Sequence, residues 1–159
     1  MRKPYQKPQN QRLDAEYYSR RGVPCFFTVR VYQHKAPFVS KPLNETVVDV
    51  LREYRVRLTC SILAYCLMPD HFHLLVAPNE DGISTLDFVD RFKGRTTKES
   101  WKFGWNGRLW QPRSFDHVLR KEESVASVVD YILDNPVRSG LCETRTDYPW
   151  AGRLDDFTP

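Results

Sequence analysis

The sequence predicts an α+β domain with a ferredoxin-like split βαβ arrangement, an antiparallel sheet and one appended C-terminal helix. Strand-like and helix-like segments follow one another in the order β-α-β-β-α-β. A Pro-Asp turn joins the second and third strands directly, so these two are expected to pair as a hairpin. With 159 residues, 41% of them apolar and 13% aromatic, the chain is long enough for one domain with a hydrophobic core.

The first three elements are a strand, a helix and a second strand. Residues 25–32 are rich in β-branched and aromatic side chains, which favour a strand. Residues 42–58 predict a helix in which Asn44 is the N-cap and charged side chains occupy the solvent face. Residues 59–67 are again rich in strand formers and predict the first strand of the hairpin.

Four further elements complete the pattern. They are a third strand at residues 71–77, a helix from Ser84 to residue 103, a fourth strand either around Trp110 or at residues 115–119, and a last helix at residues 122–134. Ser84 is expected to cap its helix, because a serine hydroxyl accepts a hydrogen bond from a free N–H of the first turn. Pro136 has no N–H and is expected to end the last helix.

The predicted organisation is a flexible basic arm at residues 1–20, a folded domain at residues 21–150 and a C-terminal tail at residues 151–159. The longest apolar run has seven residues, far short of the roughly 18 needed to span a bilayer. No secretion leader is recognisable. Four cysteines without a CxxC pair predict reduced thiols, so a cytoplasmic protein without membrane contact is expected.

The distribution of charge suggests a polyanionic partner. The formal net charge is only +4, but residues 91–121 alone carry +7 and residues 1–24 carry +4. Residues 91–121 combine nine Lys or Arg with six Phe or Trp. Cations neutralise phosphates and aromatic rings stack on bases, so this composition favours single-stranded nucleic acid. The alternative is a solvated basic face around tryptophans that belong to the core.

Two histidines give the first chemical signal. His71 and His73 are two positions apart on the predicted third strand and therefore point to one face. Together they can bind one divalent ion, although two ordinary histidines on a half-exposed strand would have the same spacing. Tyr131 and Asn135 are four residues apart and are expected to share one face of the last helix. Tyr131 could equally pack by its ring, and Asn135 could cap the helix end.

Several blocks of the sequence are similar to one family. Residues 68–76, MPDHFHLLV, resemble the HUH signature of the single-tyrosine transposases, with Phe72 as the bulky apolar middle residue. Residues 131–141, YILDNPVRSGL, resemble the catalytic helix of the REP-associated tyrosine transposases. Shorter blocks follow the same order, namely LWQ at 109–111, DHVLR at 116–120 and YPW at 148–150. The resemblance extends from about residue 21 to residue 150.

The resemblance implies metal-dependent cleavage and rejoining of single-stranded DNA beside a DNA hairpin. Tyr131 would be the nucleophile and would form a 5′-phosphotyrosine intermediate. His71, His73 and Asn135 would hold Mg²⁺ or Mn²⁺. The expected partner is hairpin-containing single-stranded DNA such as repetitive palindromic elements. The enzyme would act in the bacterial nucleoid as a monomer or a homodimer.

The expected DNA-binding residues lie in two regions of the sequence. They are Arg12, Arg20 and Arg21, with Arg2, Lys3 and Lys7 earlier in the arm, and Arg91, Lys93, Arg95, Lys98, Lys102, Arg108, Trp110, Arg113 and Arg120 in the basic stretch. Asp70 could orient a histidine or only form the turn, and His117 is a spare imidazole near the fourth strand.

A non-catalytic nucleic-acid-binding module on the same fold is the alternative function. RNA-recognition domains of this fold carry glycine and aromatic residues on the strand where this chain has its imidazole pair. That difference favours metal chemistry over base stacking on the sheet. A zinc hydrolase is disfavoured, because no clear His or Glu third ligand is found on a helix.

Overall fold

The strands and helices follow the predicted order, with a short fifth strand near the C-terminus. The computed structural model describes residues 4–6, 12–79 and 83–159. The strands are β1 (Cys25–Arg30), β2 (Cys60–Met68), β3 (His71–Pro78), β4 (Phe115–Val118) and β5 (Ala151–Gly152). The α-helices are α1 (Lys41–Arg57), α2 (Thr85–Trp101), α3 (Val125–Leu133) and α4 (Asn135–Arg138). Short 3₁₀ turns lie at Ala15–Tyr18, Tyr32–His34 and Arg145–Asp147.

The five strands form one antiparallel sheet in the order β4-β1-β3-β2-β5. β3 lies between β1 and β2, which α1 connects, and this is the split βαβ arrangement. In the β2–β3 hairpin Met68 lies opposite His71, and Cys66 lies opposite His73. The predicted α+β, ferredoxin-like fold is therefore confirmed.

Helices cover both faces of the sheet. On one face, here called the α1/α2 face, these two helices pack on Phe72 and Leu74 of β3. On the opposite face, here called the α3 face, α3 packs on Leu75. His71 and His73 alternate with Phe72 and Leu74 along β3, so strand geometry places both imidazoles on the α3 face.

The fourth strand takes the second of its two predicted positions. β4 begins at Phe115, whereas Trp110 forms only an isolated bridge with Val31. Trp110 is 2% exposed, packs in the core of the α1/α2 face, and donates from Nε1 to the Thr96 hydroxyl at 2.8 Å. The prediction of Trp110 as a DNA-binding residue is wrong, because its ring and its only donor are used inside the domain.

The helix starts agree with prediction at α2 and differ at α1. The Ser84 hydroxyl accepts from the Asp87 N–H at 3.1 Å, as predicted for the cap of α2. Helix α1 begins at Lys41, earlier than predicted, and Asn44 is buried within its first turns. Asn44 is therefore not the N-cap, and its Nδ2 donates to the Phe38 carbonyl at 3.0 Å.

The last helix is interrupted between the two residues that were expected to share it. α3 ends at Leu133, and α4 begins at Asn135 with Pro136 in its first turn. Pro136 has no N–H to donate to the carbonyl four residues earlier, so helical hydrogen bonding stops there. Tyr131 and Asn135 therefore lie on consecutive helices, and the prediction of a single shared helix face needs this correction.

The described part of the predicted N-terminal arm packs on the domain. Tyr18 is buried, and its hydroxyl donates to Asp116 of β4. Arg12 forms an ion pair with the same carboxylate at 2.6 Å. Contacts with a buried tyrosine and a buried carboxylate therefore join residues 12–20 to the domain. The predicted arm residues Arg2, Lys3 and Lys7 lie outside the described residues.

The predicted C-terminal tail also contributes to the sheet. Strand β5 pairs with Tyr65 and Cys66 of β2. Asp155 accepts from Arg55 Nε at 2.7 Å and from the Ile62 N–H at 2.8 Å. The packed region therefore continues past residue 150. In the described part of the chain, no helix has both the length and the apolar character to cross a membrane.

Candidate active site

The two predicted histidines face each other at the start of β3. Their Nε2 atoms lie 3.2 Å apart, and their ring centroids lie 4.7 Å apart with the rings at 82°. His73 is buried at 4% exposure, whereas His71 is partly exposed at the hairpin end. The strand alternation that predicts a common face therefore also brings the two nitrogens to a common point.

The opposite nitrogen of each ring has its own polar partner. His71 Nδ1 lies 2.7 Å from Asp70 Oδ1, and His73 Nδ1 lies 3.0 Å from the hydroxyl of Thr28 on β1. A hydrogen bond from Nδ1–H to a carboxylate leaves Nε2 as an electron-pair donor and fixes the ring orientation. Of the two roles considered for Asp70, the structure supports orientation of His71.

This arrangement fits the donation of two imidazole nitrogens to one cation. Two nitrogens about 2.1 Å from the same ion and at about a right angle lie about 3 Å apart. The Nε2 separation of 3.2 Å agrees with that geometry. Within residues 4–6, 12–79 and 83–159 no group of three or more His, Cys, Asp or Glu could hold a metal.

Tyr131 lies beside the histidine pair in an aromatic cluster on the α3 face. Its ring centroid is 6.1 Å from that of His73, 6.0 Å from that of Phe26 and 5.2 Å from that of Tyr5. The side chain is half-buried, so it borders the core and also reaches the surface. The tyrosine and the imidazoles predicted to act together are thus brought together by the fold.

Arg138 of α4 contacts Tyr131 in two ways. Its Cζ lies 4.2 Å from the centroid of the Tyr131 ring, and its Nη2 donates to the Tyr131 carbonyl oxygen at 2.6 Å. The break in the helix lets α4 bring Arg138 back over α3. The guanidinium therefore places a permanent positive charge against the face of the tyrosine ring.

Asn135 occupies the first position of α4 and is 8% exposed. Its Oδ1 accepts from the Ser139 hydroxyl at 3.4 Å. The amide is thus buried at the start of α4, and its role as a metal ligand stays a prediction.

Many of the predicted DNA-binding cations have protein partners. Arg95 of α2 pairs with Glu53 and Glu99, and Lys102 pairs with Glu99. Lys93 donates to the Gln111 carbonyl at 2.8 Å, and burial lowers the pKa of its ammonium group. Helix α2 packs on the α1/α2 face, so these three cations are not on the face that carries the histidines.

The other cations are more exposed. Arg20 stacks over the ring of Tyr17 with Cζ 4.2 Å from the centroid. The remaining predicted DNA contacts on the surface are Arg21, Arg91, Lys98, Arg108, Arg113 and Arg120. Their contacts with DNA stay predictions. Burial at the sheet raises the pKa of the Cys66 thiol to about 12, and Cys25, Cys60, Cys66 and Cys142 are free cysteines.

Sequence reasoning missed three residues at this site. Thr28 could not be found, because its contact with His73 depends on the pairing of β1 with β3. Tyr5 lies in a segment without periodicity, and its contact with Tyr131 is long-range. Arg138 had a signal, since it is part of the block that resembles the catalytic helix.

His117 lies 2.9 Å from the Glu123 carboxylate.

A ferredoxin-like sheet that presents a histidine pair to a tyrosine on a neighbouring helix defines the single-tyrosine transposases of the HUH type. The family model described as "Transposase IS200 like" matches residues 26–135 of this chain. The chain belongs to this family.

Relatives agree with this assignment. A protein of Haemophilus influenzae named as a candidate REP-associated tyrosine transposase is 30% identical over 136 residues, which cover 79% of this chain and 77% of the relative. The REP-associated tyrosine transposase of Escherichia coli K12 is 25% identical over 162 residues, covering 89% of this chain and 92% of the relative.

A solved structure shares the fold. It is that of a REP-associated tyrosine transposase bound to a REP hairpin, and it superimposes with a TM-score of 0.68 at 23% sequence identity. The match covers 91% of this chain and 82% of that chain.

Proposed function

We propose that this transposase-family protein cleaves single-stranded DNA beside a hairpin and rejoins it through a covalent bond to Tyr131. One observation carries the proposal. The Nε2 atoms of His71 and His73 converge to 3.2 Å on the same face on which the Tyr131 ring packs against His73. Transfer of a phosphodiester to tyrosine needs a bound cation and an accessible phenol close together. The two histidines and Tyr131 would provide them.

His71, His73 and Asn135 are the residues that would hold Mg²⁺ or Mn²⁺. A divalent ion supplies charge that polarises the scissile phosphate. Two imidazole donors favour Mn²⁺ relative to Mg²⁺, which prefers oxygen ligands. Asp70 and Thr28 would keep the two rings turned so that both Nε2 atoms face the phosphate.

Tyr131 would carry the covalent step. Its phenolic oxygen attacks the phosphorus, the bond from phosphorus to the 3′ oxygen breaks, the phenol loses its proton and the 3′ oxygen gains one. The products are a 5′-phosphotyrosine and a free 3′ hydroxyl. The new ester retains the energy of the broken linkage, so a second 3′ hydroxyl can reverse the reaction without ATP. Arg138 holds the ring in place through its cation–π contact.

The hairpin substrate is proposed from the relatives. Two REP-associated tyrosine transposases cover most of this chain, and the solved structure with the same fold holds a REP hairpin. Tyr131 and both histidines come from one chain, so a monomer would be sufficient for cleavage. Action on such DNA would place the protein in the bacterial nucleoid.

A denaturing gel tests this proposal. The full chain is incubated with labelled single-stranded DNA that contains a palindromic hairpin and flanking single strands, in the presence of Mn²⁺. We expect a covalent protein–DNA adduct that Tyr131→Phe abolishes and that Tyr54→Phe, a control on α1, retains. EDTA and His71→Ala should each remove the adduct while leaving hairpin binding.

Two results would overturn the proposal. An adduct formed by Tyr131→Phe would remove Tyr131 from the reaction. Binding of the hairpin with no adduct in Mn²⁺ or Mg²⁺, over a panel of palindromic sequences, would favour the non-catalytic binding module.

A further inference from the structure

We propose that a surface beside the histidine pair binds the single strand that flanks the cleavage position, by stacking its bases on fixed aromatic rings. This inference rests on the proposed function and extends it to a defined set of contacts. The surface, here called the aromatic–basic platform, consists of Tyr32, Lys35, Trp101, Trp105 and Arg108. Its residues come from the loop after β1, from the last residue of α2 and from the loop that follows α2.

Cations and rings alternate across the platform. Arg108 Cζ lies 5.4 Å from the centroid of the Tyr32 ring, and Lys35 Nζ lies 5.7 Å from the centroid of the Trp105 ring. Tyr32 is 36% exposed and Trp101 is 51% exposed, which is unusual for large aromatic side chains. Proteins that bind single-stranded nucleic acid use exposed rings flanked by cations, because each nucleotide presents a flat base and a phosphate.

Hydrogen bonds hold the rings in fixed positions. Trp101 Nε1 donates to the Gly107 carbonyl at 2.8 Å, and Trp105 Nε1 donates to the Arg108 carbonyl at 3.0 Å. The Tyr32 N–H donates to the Leu109 carbonyl at 2.9 Å and joins the two loops. Since both indole N–H groups are satisfied by the protein, the exposed surface of these side chains is apolar ring. Ordered rings lose little conformational entropy when a base stacks on them.

The platform lies next to the hairpin turn that carries the histidines. The Val31 N–H donates to the Asp70 carbonyl at 3.0 Å, directly before Tyr32. The Phe38 N–H donates to the Pro69 carbonyl at 3.1 Å, so two backbone hydrogen bonds join the loop after β1 to the β2–β3 turn. Asp70 in turn contacts His71 Nδ1. A strand whose phosphate sits at the histidine pair would therefore reach the platform within a few nucleotides.

The charge of the two loops fits a polyanion. Residues 31–41 and 101–114 contain no Asp or Glu. Their cations are Lys35, Arg108 and Arg113, together with Lys41 and Lys102 at the adjoining helix ends, which pair with Glu45 and Glu99. A duplex hides its base faces in the helical stack and cannot use the exposed rings. The combination of rings and cations therefore favours a single strand over the hairpin stem.

The test compares two DNA probes in fluorescence anisotropy with the full chain carrying Tyr131→Phe, so that no cleavage occurs. One probe is a blunt palindromic hairpin, and the other is the same hairpin with a single-stranded thymidine tail. We expect the tail to strengthen binding. Tyr32→Leu and Arg108→Gln should each weaken binding of the tailed probe by about tenfold and leave the blunt probe within about twofold.

A matched control is available on α1. Arg57 lies over the ring of Tyr54 with Cζ 5.7 Å from the centroid, which is a similar pair within α1. Arg57→Gln should leave binding of both probes unchanged. A second measurement needs no variant in the platform: the tailed probe should quench tryptophan fluorescence more than the blunt probe, because bases stack on Trp101 and Trp105.

Three results would overturn the platform. One is unchanged binding of the tailed probe in both variants without tail-dependent quenching. Another is an equal loss of affinity for the blunt and tailed probes in these variants, which would show that the cations of the platform bind the hairpin stem. The third is tighter binding of a uridine tail than of a thymidine tail, which would identify RNA as the ligand. If the unsubstituted chain forms no adduct but still binds the tailed probe more tightly than the blunt probe, that result would contradict the proposed chemistry and would support the platform.

Discussion

The guanidinium of Arg138 lies over the ring of Tyr131, with Cζ 4.2 Å from the ring centroid, and also donates to the Tyr131 carbonyl at 2.6 Å. One side chain thus fixes both the backbone and the ring of the proposed nucleophile. The proposed nucleophile therefore has a cation against its ring.

Loss of this cation should slow the covalent step. We expect Arg138→Gln to lower the single-turnover rate of adduct formation by about threefold, since a cation–π contact at an exposed site is worth about 0.5 to 1 kcal/mol. Binding of a blunt hairpin should stay within about twofold. Arg138→Lys should recover part of the rate, because it restores charge without the planar contact. An unchanged rate in Arg138→Gln would show that the contact is only structural.

The partner of the buried histidine should control cation affinity. Thr28→Val keeps the shape of the side chain but removes the hydroxyl 3.0 Å from His73 Nδ1. We expect Mn²⁺ to bind about tenfold more weakly, as measured by electron paramagnetic resonance of free Mn²⁺ during a titration. Thr46→Val on α1 is the control, because the Thr46 hydroxyl donates only to the Pro42 carbonyl. Equal affinities in both variants would exclude a supporting role for Thr28.

Removal of the Tyr5 hydroxyl should not destabilise the protein. This oxygen is buried, and the described residues provide it with no hydrogen-bond partner. Burial, followed by the Glu123 carboxylate, raises the pKa of the Tyr5 phenol. We expect Tyr5→Phe to leave the free energy of unfolding unchanged or to raise it by about 1 kcal/mol. Tyr5→Ala should lower it through loss of ring contacts with Phe26 and Tyr131. Urea denaturation distinguishes the two variants, and a clear loss of stability in Tyr5→Phe would reveal a partner for the hydroxyl.

The ion pair near the C-terminus should make stability depend on pH. Burial would raise the pKa of Asp155, but hydrogen bonds from Arg55 and from the Ile62 N–H outweigh it and lower the pKa. A lowered carboxylate pKa stabilises the fold above the ordinary value of about 3.9, and this contribution is lost as the pH falls below it. We expect Asp155→Asn to cost about 1 kcal/mol at pH 7 and less near pH 3, measured by urea denaturation.

The adjacent carboxylate is the control for that experiment. Asp156 is an exposed side chain at 96% and lies 3.5 Å from Arg153. Asp156→Asn should change the free energy of unfolding by less than about 0.5 kcal/mol at both pH values. The two variants should therefore diverge at pH 7 and converge in acid. Equal effects at pH 7 would show that Asp155 acts only as a surface charge.

Local patterns predicted the fold and the centre of the site. The alternation along β3 is a property of the strand itself, so the common face of His71 and His73 followed from their spacing. Pro136 predicted the end of α3 near residue 134, but not the helix α4 that begins at Asn135, because a proline in a first turn can begin a helix as well as end one.

The DNA-binding residues were predicted less well. Charge in a linear stretch does not reveal which face of the sheet a helix covers, and Arg95 and Lys102 lie on α2, away from the histidines. Trp110 and Trp101 have similar neighbours in sequence, yet one is core and the other is exposed. Only the tertiary packing separates them, because the difference depends on contacts with distant segments such as β1.

The last segment of the chain has a consequence for how copies of the molecule meet. An uncovered edge strand is a template for strand addition by another chain. Residues 148–155 occupy the outer edge of β2, pairing at Tyr65 and Cys66 and engaging both backbone groups of Ile62. Strand β2, which has nine mostly buried residues, is therefore covered along this part of its outer edge and does not offer it to a second copy. Sheet-to-sheet aggregation through this edge is blocked by the protein's own C-terminal segment.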